Sequence, residues 1–240
     1  DRNHAGGVAF NRAALALDYH TGQPYANSLS DIWWPGSQPW LKVNIKGERF
    51  MNEDGPYDYQ IYGALKQPKM YWFQIFDSNY WDDVQVFHTT ICSRVVAAPG
   101  ARNSEVLPGV FPCKSKEEFE SVFMEPALKS GKLKKEDTIE DLAKQLGIPA
   151  KTLVQTVNRY NENAQNGFDA DFGKDPKKVR PIIKPPFYGI AIGNWLLATF
   201  NGVRINTNLQ AIDENGDPIE GLYVVGNDSG GFFANSYPQY

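Results

Sequence analysis

The residues best suited to chemistry lie near the end of the chain, where an apolar stretch leads into several glycines. Residues 222–225 are apolar and favour a strand, and Gly226, Gly230 and Gly231 follow closely. Because glycine has no Cβ, its backbone can turn tightly and approach a flat or charged ligand. This order predicts a strand that delivers a ligand-contacting loop, and an ordinary β-turn is the alternative.

Four motifs resemble segments of the fumarate reductase/succinate dehydrogenase flavoprotein family and occur in the same order. Residues 221–231 resemble the C-terminal GLYAAGE…GG signature of that family. Residues 43–53 resemble its VN..G.RFMNE segment, residues 186–188 its PFY, and residues 199–203 its T.GG(V/L). The resemblance implies an α+β fold, in which a capping domain of helices and a small sheet is flanked by partial segments of an FAD-binding α/β domain.

The resemblance also implies a division of the chain and a cofactor. Residues 1–42 would be a partial FAD-domain segment, residues 43–197 the capping or substrate domain, and residues 198–240 the return segment into the FAD domain. The cofactor would be FAD. The residues expected near its isoalloxazine or ribityl chain are Thr199, Asn201, Gly202, Gly226, Asn227, Gly230 and Gly231.

The sequence contains no Gly-x-Gly, the start of the fingerprint that holds a dinucleotide pyrophosphate at a helix N-terminus. In the family this fingerprint precedes the region that the chain resembles. We therefore expect the chain to be a piece of a longer flavoprotein that binds FAD. By itself, the chain is expected to bind FAD poorly or not at all.

The residues that handle a dicarboxylate in the family are replaced at separate points. Residues 54–58 replace a Thr-Thr-Arg-Asp run, and the proton-donating arginine of an FDDSVR segment has no counterpart beside Asn79 and Tyr80. Ala198 replaces a substrate-binding histidine, and Ser236 replaces the arginine of an Asn-Arg pair. These replacements predict a substrate that is not a dicarboxylate.

The pair Gly226-Asn227 and the later Tyr237-Pro238 resemble the 3-ketosteroid dehydrogenase branch of the same superfamily, in which a tyrosine is presented to a ketone oxygen. A phenol in a dry pocket can donate a hydrogen bond to an enolate-like oxygen as charge develops there. The resemblance implies Tyr237 as the carbonyl polariser. It implies a proton donor from the cap, either Tyr80 or Arg94. The residues expected to contact the substrate are Asn52, Glu53, Phe200 and Ser236.

The predicted function is that of an FAD-dependent oxidoreductase that transfers hydride between the flavin and the activated C=C of an enone-like or other unsaturated substrate. An electron-donor protein or domain would be its partner. One alternative is a fumarate reductase-type flavoprotein, in which Arg94, Arg102 or Arg204 supplies the missing charge. The other is a non-catalytic module whose aromatic-rich pocket captures an apolar ligand.

Composition narrows the classes of partner. The chain has 240 residues, a net charge of −4 and 42% hydrophobic residues, which gives no basic footprint for nucleic acid. It lacks an apolar run of the roughly 18 residues that a membrane span needs. Cys92 and Cys113 are too few for a disulfide framework, and no spacing resembles a zinc site. We expect a small-molecule partner, with no nucleic acid, membrane span or metal, and the location, cytoplasmic or exported, stays open.

The elements that would position these residues follow from apolar periodicity and capping signals. Residues 41–50 predict a hairpin that turns at Lys46-Gly47, and residues 70–76 predict a buried strand. Three helices are predicted: one from a capping box at 115–118, amphipathic with Phe119, Val122 and Phe123 on one face, one from Thr138 to Gly147, and one from Pro149 to about Asn166. Two further strands are predicted at residues 188–197 and 202–205, and a hairpin turn at 213–217.

Overall fold

The computed structural model describes residues 7–12, 34–55, 57–87, 95–97, 111–199 and 202–230. The described residues form two compact units. The smaller unit contains those of Asp1–Phe10 and Trp195–Gln239, and the larger unit contains those of Asn11–Asn194. The mixture of helices and small sheets confirms the predicted α+β class. The three-part division of the chain at residues 42 and 197 stays a prediction.

The described elements are short, apart from one long helix and one long strand. The strands are β1 Gly7–Arg12, β2 Leu41–Val43, β3 Trp72–Phe76, β4 Val95–Ala97, β5 Phe111–Cys113, β6 Lys134–Glu136, β7 Phe187–Thr199, β8 Gln210–Ile212 and β9 Pro218–Tyr223. The α-helices are α1 Trp34–Ser37, α2 Tyr57–Leu65, α3 Tyr80–Val86, α4 Lys116–Phe119, α5 Glu125–Lys129, α6 Ile139–Leu146 and α7 Ala150–Asn166. Short 3-10 helices cover Pro68–Met70, Pro176–Lys178 and Gly226–Asp228.

The main sheet has the strand order β1-β7-β3-β2, and β6 also pairs with β7. Strand β3 runs antiparallel to both neighbours, with Gln74 opposite Lys42 of β2 and Ile190 of β7. All five residues of β3 are buried, which confirms the strand predicted from the apolar run at residues 70–76. A central strand covered on both faces has no reason to alternate polar and apolar side chains.

Helices α6 and α7 begin and end where the sequence predicts. The Thr138 Oγ1 accepts a hydrogen bond from the Asp141 N–H at 3.0 Å, and α6 ends at Gly147, whose φ is 70°. Helix α7 follows Pro149 and ends at Gly167, whose φ is 65°. A left-handed φ costs glycine little, so glycine stops a helix cleanly. The buried faces of these helices pack with β2, β3 and β7 in one apolar core.

The helix predicted after Ser115 differs from its expected form. Its capping bond is present, because the Ser115 Oγ accepts a hydrogen bond from the Glu118 N–H at 3.2 Å. However, α4 continues as a π-helical turn, Glu120–Met124, before α5 begins. The wider turn changes the angular spacing of side chains. Val122 is therefore 54% exposed, and its predicted place on the buried face with Phe119 is wrong.

The smaller unit contains a hairpin of β8 and β9. Its turn confirms the one predicted at residues 213–217, since the Asp213 Oδ1 accepts hydrogen bonds from the N–H groups of Asn215 and Asp217, both at 2.9 Å. The strand predicted at residues 202–205 is wrong. Val203 and Ile205 instead form isolated bridges with Ser229 and Ala211.

Candidate functional site

In the smaller unit, two backbone segments that carry predicted cofactor residues lie side by side. The Val203 N–H donates to the Asp228 carbonyl at 2.7 Å, and the Gly230 N–H donates to the Val203 carbonyl at 2.8 Å. A Cβ on Gly202 would lie 2.1 Å from the Asp228 oxygen, so only glycine permits this approach. The structure thus brings Gly202 next to the loop that contains Gly226, Asn227 and Gly230.

The loop is open on the side of Gly226. Gly226 has a φ of 65°, and a Cβ placed there would meet no heavy atom within 4 Å. Val225 and Val203 are 63% and 46% exposed. Exposed apolar side chains beside a bare backbone fit the flat face of a flavin ring, whereas the pyrophosphate of FAD finds no glycine fingerprint in this chain.

Several predicted site residues have backbone positions only, or lie outside the described residues. The backbones of Thr199, in β7, and Asn227 are described, but their side chains are not. The predicted residues outside the described ranges are Arg94, Phe200, Asn201, Gly231, Ser236 and Tyr237.

In the larger unit, the residues 43–53 contribute an arginine at the centre of a buried ionic cluster. The Arg49 Nε and Nη2 donate to the two Glu53 oxygens at 2.8 and 2.9 Å. Its Nη1 and Nη2 donate to the two Asp169 oxygens at 2.7 and 2.8 Å. The guanidinium carbon lies 5.0 Å from the ring centroids of both Tyr160 and Phe172. One planar cation is therefore held by two carboxylates and two aromatic rings.

Asp169 accepts more hydrogen bonds than the two from Arg49. The Asn163 Nδ2 and the Lys174 N–H each donate to it at 3.0 Å, and the Asp171 N–H donates at 3.3 Å. Burial alone would raise the pKa of Asp169, but the hydrogen bonds from Arg49 and from these backbone groups outweigh it and lower that pKa to about 2. Asp169 is therefore ionised at every pH at which the fold is expected to operate.

Glu53 is fully buried, and both of its oxygens are occupied. The Lys174 Nζ lies 3.2 Å from the Glu53 Oε2 and also donates to the Tyr160 hydroxyl at 2.8 Å and to the Pro39 carbonyl. Burial opposes ionisation of Glu53, but the charges of Lys174 and Arg49 hold its pKa below the ordinary value. Burial lowers the pKa of Lys174, and Glu53 opposes that shift. These opposing shifts favour an ion pair of ionised Glu53 with protonated Lys174.

Asn52, predicted as a substrate contact beside Glu53, is half-buried. Its Oδ1 accepts a hydrogen bond from the Asp54 N–H at 2.9 Å, which makes a local turn at the exit of the hairpin. Asp54 is also bound to a later part of the chain, because the Lys178 Nζ lies 2.6 Å from its Oδ2. Residues on both sides of Glu53 are therefore bound to later parts of the chain, Arg49 to Asp169 and Asp54 to Lys178.

Tyr80, a predicted proton donor, lies in a cluster of aromatic rings. Its ring stacks on Phe119 at 5.5 Å and meets Phe76 and Tyr188 edge-on. Its hydroxyl donates to the Glu120 Oε1 at 2.5 Å. Burial, followed by the bond to Glu120, raises the pKa of Tyr80 far above its ordinary range. This phenol stays protonated, and its one proton is donated to Glu120.

Another buried carboxylate, that of Asp83, lies close to that aromatic cluster. The Asp83 Oδ1 accepts a hydrogen bond from the Arg180 Nε at 2.7 Å, and its Oδ2 accepts one from the Trp40 Nε1 at 3.0 Å. Burial raises the pKa of Asp83 to about 6, with a contribution from the charge of Asp77, although Arg180 and Trp40 oppose the rise.

The arginine side chains described in the larger unit are all bound to carboxylates. Arg49 binds Glu53 and Asp169, Arg180 binds Asp83, and Arg159 binds Asp171 and Glu162.

Among the described residues, no group of three or more His, Cys, Asp or Glu side chains can hold a metal ion. No helix in the described part of the chain is long and apolar enough to cross a membrane.

Sequence reasoning missed Arg49, Asp169, Lys174, Tyr160 and Asp83 as members of these clusters. A signal existed for one pair, because Arg49 and Glu53 are four residues apart. The other carboxylate partner of Arg49, Asp169, is 120 residues away in the sequence. A contact over that distance leaves no local pattern.

Comparison with known proteins identifies the family. The sequence model of the family described as "FAD binding domain" matches residues 39–239. The chain is 28% identical over 204 residues to a vinyl phenol reductase of Lactiplantibacillus plantarum, which covers 84% of this chain and 38% of that protein. It is 27% identical over 251 residues to a 3-oxosteroid 1-dehydrogenase of Mycobacterium tuberculosis, which covers 88% of this chain and 39% of that protein.

A solved structure agrees in fold. The 3-ketosteroid delta1-dehydrogenase from Sterolibacterium denitrificans superposes with a TM-score of 0.60 at 22% identity, over 98% of this chain and 39% of that chain. The chain thus spans about two fifths of the length of these relatives. Because the family match covers most of the sequence, as the four motifs predicted, the chain belongs to the FAD-dependent fumarate reductase/succinate dehydrogenase flavoprotein superfamily, whose cofactor is FAD.

Proposed function

We propose that this chain is part of an FAD-dependent oxidoreductase that transfers hydride between the flavin and the activated C=C of a neutral, enone-like substrate. The observation that carries the proposal is the match to the FAD-binding family over residues 39–239. In this proposal, residues 43–197 form the capping and substrate domain, and the two flanking parts belong to the FAD domain. An electron-donor protein or domain supplies or removes the electrons.

The arginines described in the larger unit favour a neutral substrate over a dicarboxylate, while Arg204 of the smaller unit is exposed and stays the cation of the dicarboxylate alternative. A dicarboxylate needs cations that are free to form forked hydrogen bonds with it. In the larger unit, the described side chains of Arg49, Arg159 and Arg180 already bind protein carboxylates. The names of the two curated relatives also specify a vinyl phenol and a 3-oxosteroid, neither of which is a dicarboxylate.

FAD supplies the hydride chemistry when it is bound, and the protein supplies position, polarisation and exclusion of water. Gly202 and the loop from Gly226 to Gly230 would hold the flavin, together with Thr199, Asn201 and Gly231. Tyr237 would donate a hydrogen bond to the carbonyl oxygen of the substrate, which stabilises the negative charge that develops there.

The proton would come from Tyr80 or Arg94. In the structure, the Tyr80 hydroxyl donates its one proton to the Glu120 Oε1 at 2.5 Å. To act as the donor, Tyr80 would turn this proton to the substrate, and the resulting tyrosinate would take a proton from water, which reaches it beside the 38% exposed side chain of Glu120. Asn52, Glu53, Phe200 and Ser236 would form the wall that holds the non-reacting part of the substrate.

The test uses the full-length protein that contains this chain. Its flavin is reduced anaerobically and titrated with a panel of enones and, separately, with fumarate, while the visible absorbance of oxidised flavin is followed. We expect reoxidation by at least one enone and not by fumarate. Reoxidation by fumarate alone would favour the dicarboxylate alternative, and a protein without flavin would favour the binding module.

A second experiment tests the role of Tyr237. We expect Tyr237→Phe to lower kcat for the enone by roughly 100-fold or more, as loss of one oxyanion donor does in other enzymes. Tyr62→Phe is the matched control, because Tyr62 is 46% exposed on α2, and its activity should equal that of the wild type. Equal kcat values for the two variants would remove Tyr237 from the mechanism.

A further inference from the structure

The segment of residues 43–53, in which Val43 and Arg49 form an isolated bridge, contacts α7 at its turn and the loop after α7 at its exit. At its turn, the Thr156 Oγ1 donates to the Gly47 carbonyl at 2.6 Å. A Cβ on Gly47 would lie 3.0 Å from the Leu153 nitrogen, so the turn lies directly on the helix backbone. At its exit, Arg49 and Glu53 meet the loop that follows α7, which contains Asp169 and Lys174.

The contacts at the exit form a closed ring of four residues. Arg49 binds Glu53 and Asp169 through forked pairs. Lys174 completes the ring, because its Nζ lies 3.2 Å from Glu53 and its backbone N–H donates to Asp169 at 3.0 Å. Because the ring is closed, it fixes both the distance and the orientation of residues 49–53 relative to the loop that follows α7.

The plane of the Arg49 guanidinium is fixed as well. Tyr160 and Phe172 cover it, each with a ring centroid 5.0 Å from the guanidinium carbon. A forked carboxylate pair is strong only when the acid lies in the plane of the guanidinium. Asp169 therefore determines where Arg49 points, and Arg49 determines where Glu53 and the adjacent Asn52 lie.

We infer that Asp169 is a positioning residue for substrate binding, which acts through Arg49 and the buried Glu53 on Asn52, the half-buried residue of the proposed wall. The inference rests on the proposed function, because it takes this wall as part of the substrate site. In this inference Asp169 acts without touching the substrate, because it is 1% exposed. A wall that holds the non-reacting part of a substrate contributes equally to the ground state and the transition state, so its displacement raises KM and leaves kcat unchanged.

The experiment measures kcat and KM of the full-length flavoprotein for the enone that reoxidises it, or for fumarate if only fumarate does. Asp169→Asn keeps the shape of the side chain but removes the charge that Arg49 requires. We expect KM to rise between about tenfold and a hundredfold, which is the range for small displacements of a substrate-positioning group, with kcat within about twofold of the wild type. Flavin content, read from the visible spectrum, should not change.

Asp171→Asn is the matched control, because the same substitution two residues further along removes the partner of the half-exposed Arg159. Its KM should equal that of the wild type. Phe172→Leu covers the case in which Asp169→Asn does not fold. Phe172 is 36% exposed, and loss of its stacking on Arg49 should raise KM about two- to fivefold.

The outcomes separate the inference from the proposed function. Wild-type protein that no tested acceptor reoxidises would contradict the function, and the inference would fall with it before any variant is compared. Active wild type, with folded Asp169→Asn or Phe172→Leu of unchanged KM, would overturn the inference alone. A lower melting temperature with unchanged KM would mean that the ring stabilises the fold and nothing more.

Discussion

Two aspartates of the larger unit expose almost no surface to solvent and have opposite pKa shifts. Asp169 is 1% exposed and Asp83 is 3% exposed. The pKa of Asp169 is lowered to about 2, whereas that of Asp83 is raised to about 6. Burial disfavours the charged form of both carboxyl groups. Asp83 lies deeper in the protein than Asp169, and the two carboxyl groups also differ in the groups that surround them.

Asp169 accepts two hydrogen bonds from one guanidinium and three more from an amide side chain and two backbone N–H groups. Asp83 accepts one from Arg180 and one from Trp40, and the charge of Asp77 acts against its ionisation. The Arg180 side chain is 32% exposed and shares its charge with water, while that of Arg49 is 6% exposed. The depth of burial, the number of hydrogen-bond donors and the exposure of the cationic partner together decide the direction in which the pKa of each carboxyl group shifts.

The prediction with the largest expected effect removes Arg49, the cation that Glu53 and Asp169 share. Arg49→Gln leaves Glu53 and Asp169 buried without their main partner, and loss of one member of a buried pair costs about 3–5 kcal/mol of unfolding free energy. In the wild type, the stabilisation from ionised Asp169 is complete above its ordinary pKa of 3.8 and is lost as the pH falls towards about 2. In the variant, this stabilisation should shrink because the pKa of Asp169 rises towards that of Asp83.

The measurement is urea unfolding at pH 7, followed by circular dichroism. Arg159→Gln is the matched control, because Arg159 also binds an aspartate of the same loop but is half-exposed. Its unfolding midpoint should stay within experimental error of the wild type. Midpoints that fall equally in the two variants would mean that the buried ring is no stronger than an ordinary surface pair.

The sequence predicted those parts of the molecule that are determined locally. The Thr138 cap, the stops at Gly147 and Gly167, the buried strand β3 and the turn at Asp213 all occur as expected. Each depends on residues within one or two turns of chain, so the pattern and its cause lie together. The π-helical turn after Phe119 was missed because nothing in the spacing of Phe119, Val122 and Phe123 distinguishes it from an α-helix.

The candidate site also contains a part that the sequence predicted and a part that it did not. Gly226 and Gly230 were predicted from residue type and Gly202 from the family resemblance; the structure places the backbone of Gly202 beside the loop of Gly226 and Gly230, and their role as flavin contacts stays a prediction. The opposite pKa shifts of Asp169 and Asp83 could not be predicted from the sequence, because each depends on an arginine about 100 residues away. Glu53 was expected as a substrate contact from its motif. Its role in that wall stays a proposal, although the structure adds that both of its oxygens bind protein cations.

The smaller test of the comparison concerns Asp83. Its pKa is raised in the folded state, so the folded protein binds more protons than the unfolded chain between 3.8 and about 6, and stability falls as the pH rises through that window. The shift corresponds to at most roughly 3 kcal/mol. Asp83→Asn resembles the protonated form permanently. We expect it to leave urea stability unchanged near pH 4 and to increase it at pH 7.5, the opposite sign from Arg49→Gln.

A local probe reports the same protonation without unfolding. Because the Trp40 indole N–H donates to Asp83 at 3.0 Å, its nitrogen–proton NMR cross-peak should shift with a midpoint near pH 6. The cross-peak should not titrate in Asp83→Asn. Asp77→Asn removes the neighbouring charge that opposes ionisation, so it should move the midpoint to lower pH. A Trp40 signal that is flat from pH 4 to 8 in the wild type would mean that Arg180 keeps Asp83 ionised, and the two aspartates would then differ in their partners but not in their charge.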